Sequence, residues 1–203
     1  LVLSGGGAKG IAHIGVLQAL EDNNIPIDYI TGTSMGAIVG GLYASGYTPQ
    51  EMMQLLMSKE FADWSTGVIN QNLTYYFDKS IPTPAFFTIN FALEDIAKQS
   101  SSIIPSSFIN PLPMNFAFME LFSAYTAQCN RNFDNLYVPF RCIASDVFNK
   151  RKLVCKSGDL GDAIRASMSF PIVFKPIFKD GIPLFDGGIY DNFPVDVMRK
   201  EFA

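Results

Sequence analysis

The stretch that decides the fold is residues 1–44, which read LVLSGGGAKGIAHIGVLQALEDNNIPIDYITGTSMGAIVGGLYA. Residues 1–4 and 29–31 are short apolar segments, and such segments predict buried strands. Each predicted strand runs through a glycine-containing turn into a segment in which apolar residues have helical spacing. Strands that alternate with helices are typical of an α/β domain with a parallel sheet.

The second half of the chain adds β-pairs and further helices. Apolar strand patterns recur there at residues 138–145, 153–155, 173–178 and 182–185. Asp180-Gly181 is typical of a hairpin turn. Helical patterns cover residues 114–129 and 159–167, and Asn192 is predicted to cap the last helix. We therefore expect a three-layer α/β/α fold whose central sheet is mixed and mostly parallel.

Residues 61–113 interrupt this alternation. Their periodicity is poor, their prolines break any long helix, and phenylalanine is frequent among them. We interpret them as an irregular, Phe-rich insertion in a single domain covering residues 1–203. Because the chain starts on a strand without Met and ends inside a predicted helix, we expect it to be a fragment of a longer protein.

The composition excludes several classes of protein. The chain has 203 residues, a net charge of −4 and 48% hydrophobic residues, so it is too apolar to be disordered. It has no basic block, which argues against a nucleic-acid partner. One histidine and three widely spaced cysteines do not make a usual zinc site. No apolar run reaches the 18 or so residues of a membrane-spanning helix.

The first candidate for chemistry is Gly32-Thr33-Ser34-Met35-Gly36, a G-x-S-x-G motif between a predicted strand and a predicted helix. The glycines permit a sharp turn that exposes the serine hydroxyl above the sheet edge. The helix N-terminus behind it favours a developing anion. A capped turn without chemistry is the alternative, but the context favours a nucleophilic Ser34.

The second candidate is the loop at residues 4–10, whose Gly5, Gly7 and Gly10 match G-x-G-x-x-G. Asp28 lies near the position of the acidic ribose partner of a dinucleotide site, but it precedes the second strand. An oxyanion-binding loop explains the same glycines, because successive backbone N–H groups hold an oxyanion as well as a phosphate. The loop alone leaves both interpretations open.

The general base is harder to assign, because His13 is the only histidine and precedes Ser34. A Ser-Asp-His order needs a histidine after the acid, so the base is expected to be a carboxylate or a lysine. Asp186 is the strongest candidate, since it ends a predicted strand and Gly187-Gly188 allow close backbone approach. The rivals are Asp146, Asp191 and Lys9.

Ser34 and Asp186 are 152 residues apart in the sequence. In a mostly parallel sheet the carboxyl ends of the strands share one edge, and we expect the two side chains to meet there. Apolar walls would raise the pKa of Asp186 and make it a better base.

Three motifs together resemble the signatures of the patatin-like phospholipases: the Gly5–Gly10 loop, the G-x-S-x-G turn and Asp186-Gly187-Gly188. The resemblance implies that Ser34 is the nucleophile and Asp186 the base of a Ser-Asp dyad. It also assigns the oxyanion hole to the N–H groups of Gly5, Gly6 and Gly7, to which we add that of Met35. The remaining motif residues have supporting roles: Lys9, Gly10, Gly32, Gly36, Gly187 and Gly188.

The resemblance implies a phospholipase A-type serine hydrolase that cleaves acyl esters of phospholipids or related lipids through an acyl-enzyme. No metal or other cofactor is needed in that scheme. The insertion at residues 61–113 would form a lipid-facing lid or an acyl groove, and ordinary cover of the core is the alternative. The expected partners are a lipid ester and, transiently, a membrane surface, in a bacterial protein of the cell envelope, of the outer membrane or secreted. A dinucleotide-binding enzyme and a non-catalytic lipid-binding module are the alternatives.

Overall fold

The computed structural model describes residues 1–69 and 108–202. Before the gap lie β1 (Val2–Leu3), a 3-10 turn (Gly7–Ile11), α1 (Ala12–Asp22), β2 (Ile30–Thr33), α2 (Met35–Ala44), α3 (Pro49–Leu56) and α4 (Lys59–Thr66). After it lie α5 (Leu112–Gln128), a 3-10 turn (Phe133–Asn135), β3 (Phe140–Asp146), β4 (Arg151–Cys155), α6 (Leu160–Ser167), β5 (Ile177–Lys179), β6 (Ile182–Asp186), a 3-10 turn (Gly187–Ile189) and α7 (Val195–Phe202). Within residues 1–69 and 108–202, none of the helices combines the length and the hydropathy that a membrane-spanning segment needs.

The six strands of the described chain form one mixed sheet. β1, β2 and β3 pair in parallel, whereas β4 and β6 both run antiparallel to β3. β5 pairs antiparallel with β6, so four of these six strands point in the same direction. The mixed, mostly parallel sheet predicted from the sequence is therefore confirmed.

Helices cover both faces of this sheet. Successive side chains of a strand point to opposite faces, so the contacts of neighbouring β2 residues show what covers each face. On β2, Gly32 lies against α2, and Ile164 of α6 packs on α2 at Gly41. Thr31 and Thr33 face the other way, and their hydroxyls donate to backbone carbonyls at residues 194 and 191, just before α7. The three-layer α/β/α prediction is thus confirmed.

Two strands share a single edge of β3. β4 pairs with residues 142–146 of β3, β2 with residues 140–143 and β6 with residues 144–146. Because β4 overlaps with both of the others, it occupies one edge of β3, and β2 and β6 must both lie along the opposite edge. β2 and β6 therefore run toward each other, and their carboxyl ends meet between Ile143 and Ala144.

Ser34 and Asp186 come together for a different reason from the one expected from the sequence. The last residue of β2, Thr33, is the register partner of Ile143, and Asp186 is the partner of Ala144. The two residues meet because an antiparallel strand ends opposite a parallel one. They do not meet because parallel strands end on a common edge of the sheet.

Helix α4 extends farther into residues 61–113 than the composition predicted. The Ser58 hydroxyl accepts the Phe61 N–H at 3.0 Å, and α4 continues to Thr66, with Gly67 in the left-handed region behind it. The start of the predicted insertion is therefore helical, and α5 already begins at Leu112. Residues 70–107, where most of the predicted lid falls, lie outside the described residues.

Two boundaries near the carboxyl end differ from the prediction. The hairpin turn is as predicted, with Asp180 at φ 52° and Gly181 at φ 78°, but its first strand begins at Ile177 and not at residue 173. The last helix begins at Val195, so Asn192 is not its cap. The Asn192 amide donates instead to the carbonyl of Gly5 at 3.4 Å, because the chain crosses the glycine-rich loop there.

Candidate functional site

Ser34 occupies the sharp turn between β2 and α2. Its backbone has φ 55° and ψ −121°, a conformation that is costly for a non-glycine residue and is found at functional sites. The turn requires glycine on both sides, since a Cβ at Gly32 would overlap the Gly36 carbonyl and one at Gly36 would overlap the Leu3 carbonyl. The sequence around Ser34 therefore builds a turn that lifts the hydroxyl above the end of β2.

Asp186 lies at the meeting point of β2 and β6, where it faces Ser34. The Ser34 hydroxyl donates to Asp186 Oδ2 at 2.7 Å, and the Gly188 N–H donates to Oδ1 at 2.7 Å. The Asp186 N–H donates to the Ser169 carbonyl at 2.9 Å. Both carboxylate oxygens and the backbone are thus held, and one oxygen is aimed at the serine.

Burial raises the pKa of Asp186 above its ordinary value, because only 6% of the residue is exposed. The hydrogen bonds from Ser34 and Gly188 act in the opposite direction and offset part of this increase. A carboxylate in such surroundings is a stronger base than one in water, as the sequence interpretation required.

The glycine-rich loop lies on the other side of Ser34. The Gly5 N–H donates to the Asn192 carbonyl at 3.0 Å, so it is already engaged in this conformation, and its role as an oxyanion donor stays a prediction. Gly6 is extended, and Gly7, at φ 53°, opens the 3-10 turn. The first N–H groups of a helical turn have no partner within that turn. The N–H groups of Gly6 and Gly7 are therefore the ones that the loop can offer to an oxyanion.

Met35 is the first residue of α2, and its N–H likewise precedes the first intrahelical hydrogen bond. The supporting glycines are placed by close packing. A Cβ at Gly10 would lie 2.5 Å from Met35 Cγ, and one at Gly187 would overlap the Ile143 carbonyl. Gly188 lies against the Asp186 carboxylate that its N–H binds. Lys9 is exposed on the loop.

Two adjoining cavities open beside Ser34 and Asp186. The larger, of about 540 Å³, is lined mainly by apolar side chains, and we call it the apolar groove: Ala8, Ile11, Met35, Ile38, Phe61, Ile109, Met114, Met168, Phe170, Val173 and Phe174. The smaller, of about 310 Å³, lies between the glycine-rich loop and the turn after β6, and its lining includes Asn192. The serine hydroxyl therefore stands between an apolar compartment and a more polar one.

His13 and the two rival carboxylates, Asp146 and Asp191, are engaged elsewhere. His13 Nε2 lies 2.9 Å from the Ser4 carbonyl. Asp146 accepts from Asn149 and Arg151, and the Asn149 bonds are the main reason that its pKa is lowered. Asp191 forms an ion pair with Lys152 at 2.6 Å. Asp28, which a dinucleotide site would need beyond the second strand, is exposed and precedes β2.

Three polar residues at the site were missed by the sequence analysis: Ser167, Ser169 and Asn192. Ser167 accepts the Ser34 N–H at 3.0 Å, and Ser169 accepts the Asp186 N–H through its carbonyl. Serine and asparagine are common at helix ends, so their residue types did not indicate a role at the site. The recurrence of serine at positions 167 and 169, at the end of the helix predicted over residues 159–167, was the one available signal.

Comparison with known proteins gives a family match along nearly the whole chain. The family described as patatin-like phospholipase matches residues 1–199. A patatin-like phospholipase domain-containing protein of Caenorhabditis elegans, ZK370.4, is 33% identical over 202 residues. The human patatin-like phospholipase domain-containing protein 6 and the lysophospholipase NTE1 of Candida albicans are each 31% identical, over 202 and 200 residues.

The aligned region covers 98% of this chain but only 12% of each of these three relatives. Among solved structures, VipD from Legionella pneumophila is similar with a TM-score of 0.57 at 14% identity. That match covers 95% of this chain and 46% of VipD, and at this identity it supports the fold alone.

Proposed function

The chain belongs to the patatin-like phospholipase family, and on that premise we propose that it is a serine hydrolase for acyl esters of phospholipids or related lipids. The observation that carries the proposal is the 2.7 Å hydrogen bond from the Ser34 hydroxyl to Asp186. It joins a strained serine to a buried carboxylate at the mouth of an apolar groove. Both the activity and the Ser-Asp dyad are part of the proposal.

In the first half of the reaction the Ser34 oxygen attacks the ester carbonyl while its proton moves to Asp186 Oδ2. The carbonyl oxygen becomes an oxyanion in a tetrahedral intermediate. When this intermediate collapses, the C–O bond to the alcohol breaks and Asp186 returns the proton to the departing alkoxide. The products of this half are a free alcohol, such as a lysophospholipid, and an acyl group bound to Ser34.

In the second half a water molecule attacks the acyl-enzyme and loses a proton to Asp186. The second tetrahedral intermediate releases a fatty acid, and the proton returns from Asp186 to the Ser34 oxygen. The carboxylate therefore serves as base and then as acid in each half, and the protons balance. The raised pKa of Asp186 suits both tasks, because a group that both accepts and donates a proton works best when its pKa lies near the ambient pH.

The oxyanion is assigned to the N–H groups of Gly6, Gly7 and Met35. They belong to the loop and to the helix N-terminus that border the Ser34 hydroxyl, whereas the Ser34 N–H is occupied by Ser167. Backbone donors of this kind need no reorganisation when the charge develops. Losing one such donor typically costs about 10²- to 10³-fold in rate.

The acyl chain is assigned to the apolar groove, and transient contact with a lipid surface to its rim. The rim includes the exposed Phe108, Phe170 and Ile172. The Phe108 N–H donates to the Ile172 carbonyl at 2.9 Å, which joins the two segments that carry these side chains. Exposed apolar side chains grouped at one mouth are typical of a membrane or ligand contact.

The test uses Ser34→Ala with Ser45→Ala as its control. Ser34 is half-buried and Ser45 is buried, at the other end of the same helix, where its hydroxyl donates to the carbonyl of Gly41. We expect Ser34→Ala to abolish hydrolysis of phosphatidylcholine vesicles and of p-nitrophenyl butyrate, and to abolish covalent labelling by a fluorophosphonate. Ser45→Ala should retain all three.

Persistent labelling of Ser34→Ala would remove Ser34 from the role of nucleophile. Vesicle binding without turnover of any ester by the unmodified protein would favour the non-catalytic lipid-binding module. A rise in melting temperature with NAD or FAD, together with absent ester hydrolysis, would favour the dinucleotide-binding alternative.

A further inference from the structure

The carboxyl-terminal turn of α6 contacts the backbone of both proposed catalytic residues. Ser167, the last residue of α6, is fully buried, and its hydroxyl accepts the Ser34 N–H at 3.0 Å. The same hydroxyl donates to the Ile143 carbonyl at 2.5 Å. A serine hydroxyl has one proton, so donation to Ile143 leaves its lone pairs to receive Ser34. The hydroxyl therefore links β3 to the turn that carries the nucleophile.

Two residues later, Ser169 holds the other member of the pair. Its carbonyl accepts the Asp186 N–H at 2.9 Å, and its hydroxyl is bound to Arg165 in both directions. The Arg165 Nη1 donates to Ser169 Oγ at 2.7 Å, and Ser169 Oγ donates to the Arg165 carbonyl at 2.8 Å. The residue that holds Asp186 is thus itself fixed to the helix.

Arg165 is an unusual residue to find in this place, because only 1% of it is exposed and its hydrogen-bond partners are neutral oxygens. Besides Ser169, it donates to Asn115 Oδ1 at 2.9 Å and to the Lys175 carbonyl at 3.3 Å. Its guanidinium also lies 5.1 Å from the centre of the Phe174 ring. A buried cation with such partners costs desolvation energy, so simple packing does not account for it.

We propose that Arg165, Ser167 and Ser169 are positioning residues that set the distance between Ser34 and Asp186. Ser167 fixes the backbone of Ser34, and Arg165 acts through Ser169 to fix the backbone of Asp186. β3 pairs with the ends of β2 and β6, and the end of α6 adds a hydrogen bond to the N–H of Ser34 and another to the N–H of Asp186. The proposal rests on the proposed function of the dyad.

Substrate binding gives a way to separate positioning from general damage. None of the three positioning residues lines the apolar groove or the smaller cavity beside the glycine-rich loop. Their loss should therefore leave the KM of a small ester nearly unchanged. The rate of the chemical step should fall, because displacing reacting groups by about 1 Å costs up to about 10²-fold.

The experiment measures kcat and KM for p-nitrophenyl butyrate, together with the rate of fluorophosphonate labelling, in Ser167→Ala and Ser169→Ala. We expect kcat and the labelling rate of Ser167→Ala to fall by about 10- to 100-fold, with KM within about twofold of the starting value. Ser169→Ala keeps the carbonyl that holds Asp186 and loses only the Arg165 contact, so its kcat should fall by about 10-fold. Ser45→Ala is the buried-serine control.

Wild-type kcat in folded Ser167→Ala and Ser169→Ala would overturn the positioning proposal, as would a rise in KM at constant kcat. If Ser167→Ala does not fold, the result for Ser169→Ala decides. These outcomes are distinct from failure of the proposed function, which would appear as residual activity in Ser34→Ala.

Discussion

Replacing the buried carboxylate by its uncharged isostere separates catalysis from stability. Asp186→Asn keeps the shape of the side chain, its oxygen can still accept the Gly188 N–H, and its amide can donate to the Ser34 hydroxyl. The variant removes the proposed proton acceptor and leaves the hydrogen-bonded frame in place.

The expected loss of activity follows from the proposed role of Asp186 as the general base. General-base catalysis contributes about 10²- to 10⁴-fold, which is about 3–5 kcal/mol of transition-state stabilisation at about 1.4 kcal/mol per factor of ten. We expect kcat for p-nitrophenyl butyrate to fall by this factor. KM should change little, because the apolar groove is untouched.

Stability should change in the opposite direction. Burial raises the pKa of Asp186 in the folded protein, whereas the unfolded chain ionises near the ordinary value of about 3.9. The stability linked to Asp186 is therefore fully present below about pH 3.9 and is lost as the pH rises through its folded pKa. The asparagine in Asp186→Asn does not ionise, so the variant keeps this stability and should be the more stable protein at pH 7. The expected difference in unfolding free energy is about 1.4 kcal/mol for each unit between the folded and unfolded pKa of Asp186.

The assay compares urea denaturation of the two proteins from pH 4 to pH 8 with kcat measured at pH 7. The gap in unfolding free energy should widen as the pH rises and then become constant. A variant that keeps more than a tenth of the activity would refute the base assignment. A variant that is less stable than the starting protein at pH 7 would refute the claim that burial dominates at Asp186.

Three further predictions concern the frame of the site. Gly36→Ala would drive a methyl group into the Leu3 carbonyl and should lower the unfolding free energy, measured by urea denaturation, by at least about 2 kcal/mol. Its control, Gly15→Ala, has open space around it on α1 and should raise the unfolding free energy by about 0.5–1 kcal/mol. His13→Gln should keep kcat within about threefold, because a side chain outside the dyad does not move the proton; a loss of 10²-fold or more would make His13 the base. Thr48→Ala removes the cap of α3 and should lower the unfolding free energy by about 0.5–2 kcal/mol without affecting kcat.

Much of the local structure could be predicted from short stretches of the sequence. The capping box at Thr48 and Glu51 and the turn at Asp180-Gly181 depend on interactions within a few residues, and both form as their sequences indicate. The sharp turn at Ser34 belongs to the same group, since the flanking glycines permit it. Helix α4 was not predicted, and β5 begins later than its predicted start at residue 173, because tertiary packing and a single cap decide where such elements begin and end.

The sequence by itself therefore determined which residues could carry the chemistry: a serine in a glycine-bounded turn, an aspartate at a strand end, and no histidine in the required place. Only the tertiary structure decided how they meet. β2 and β6 approach each other along one edge of β3, and the end of α6 fixes both strand ends through Ser167 and Ser169. Strand direction and the partners of a buried hydroxyl depend on residues far apart in the chain, and no local pattern contains them.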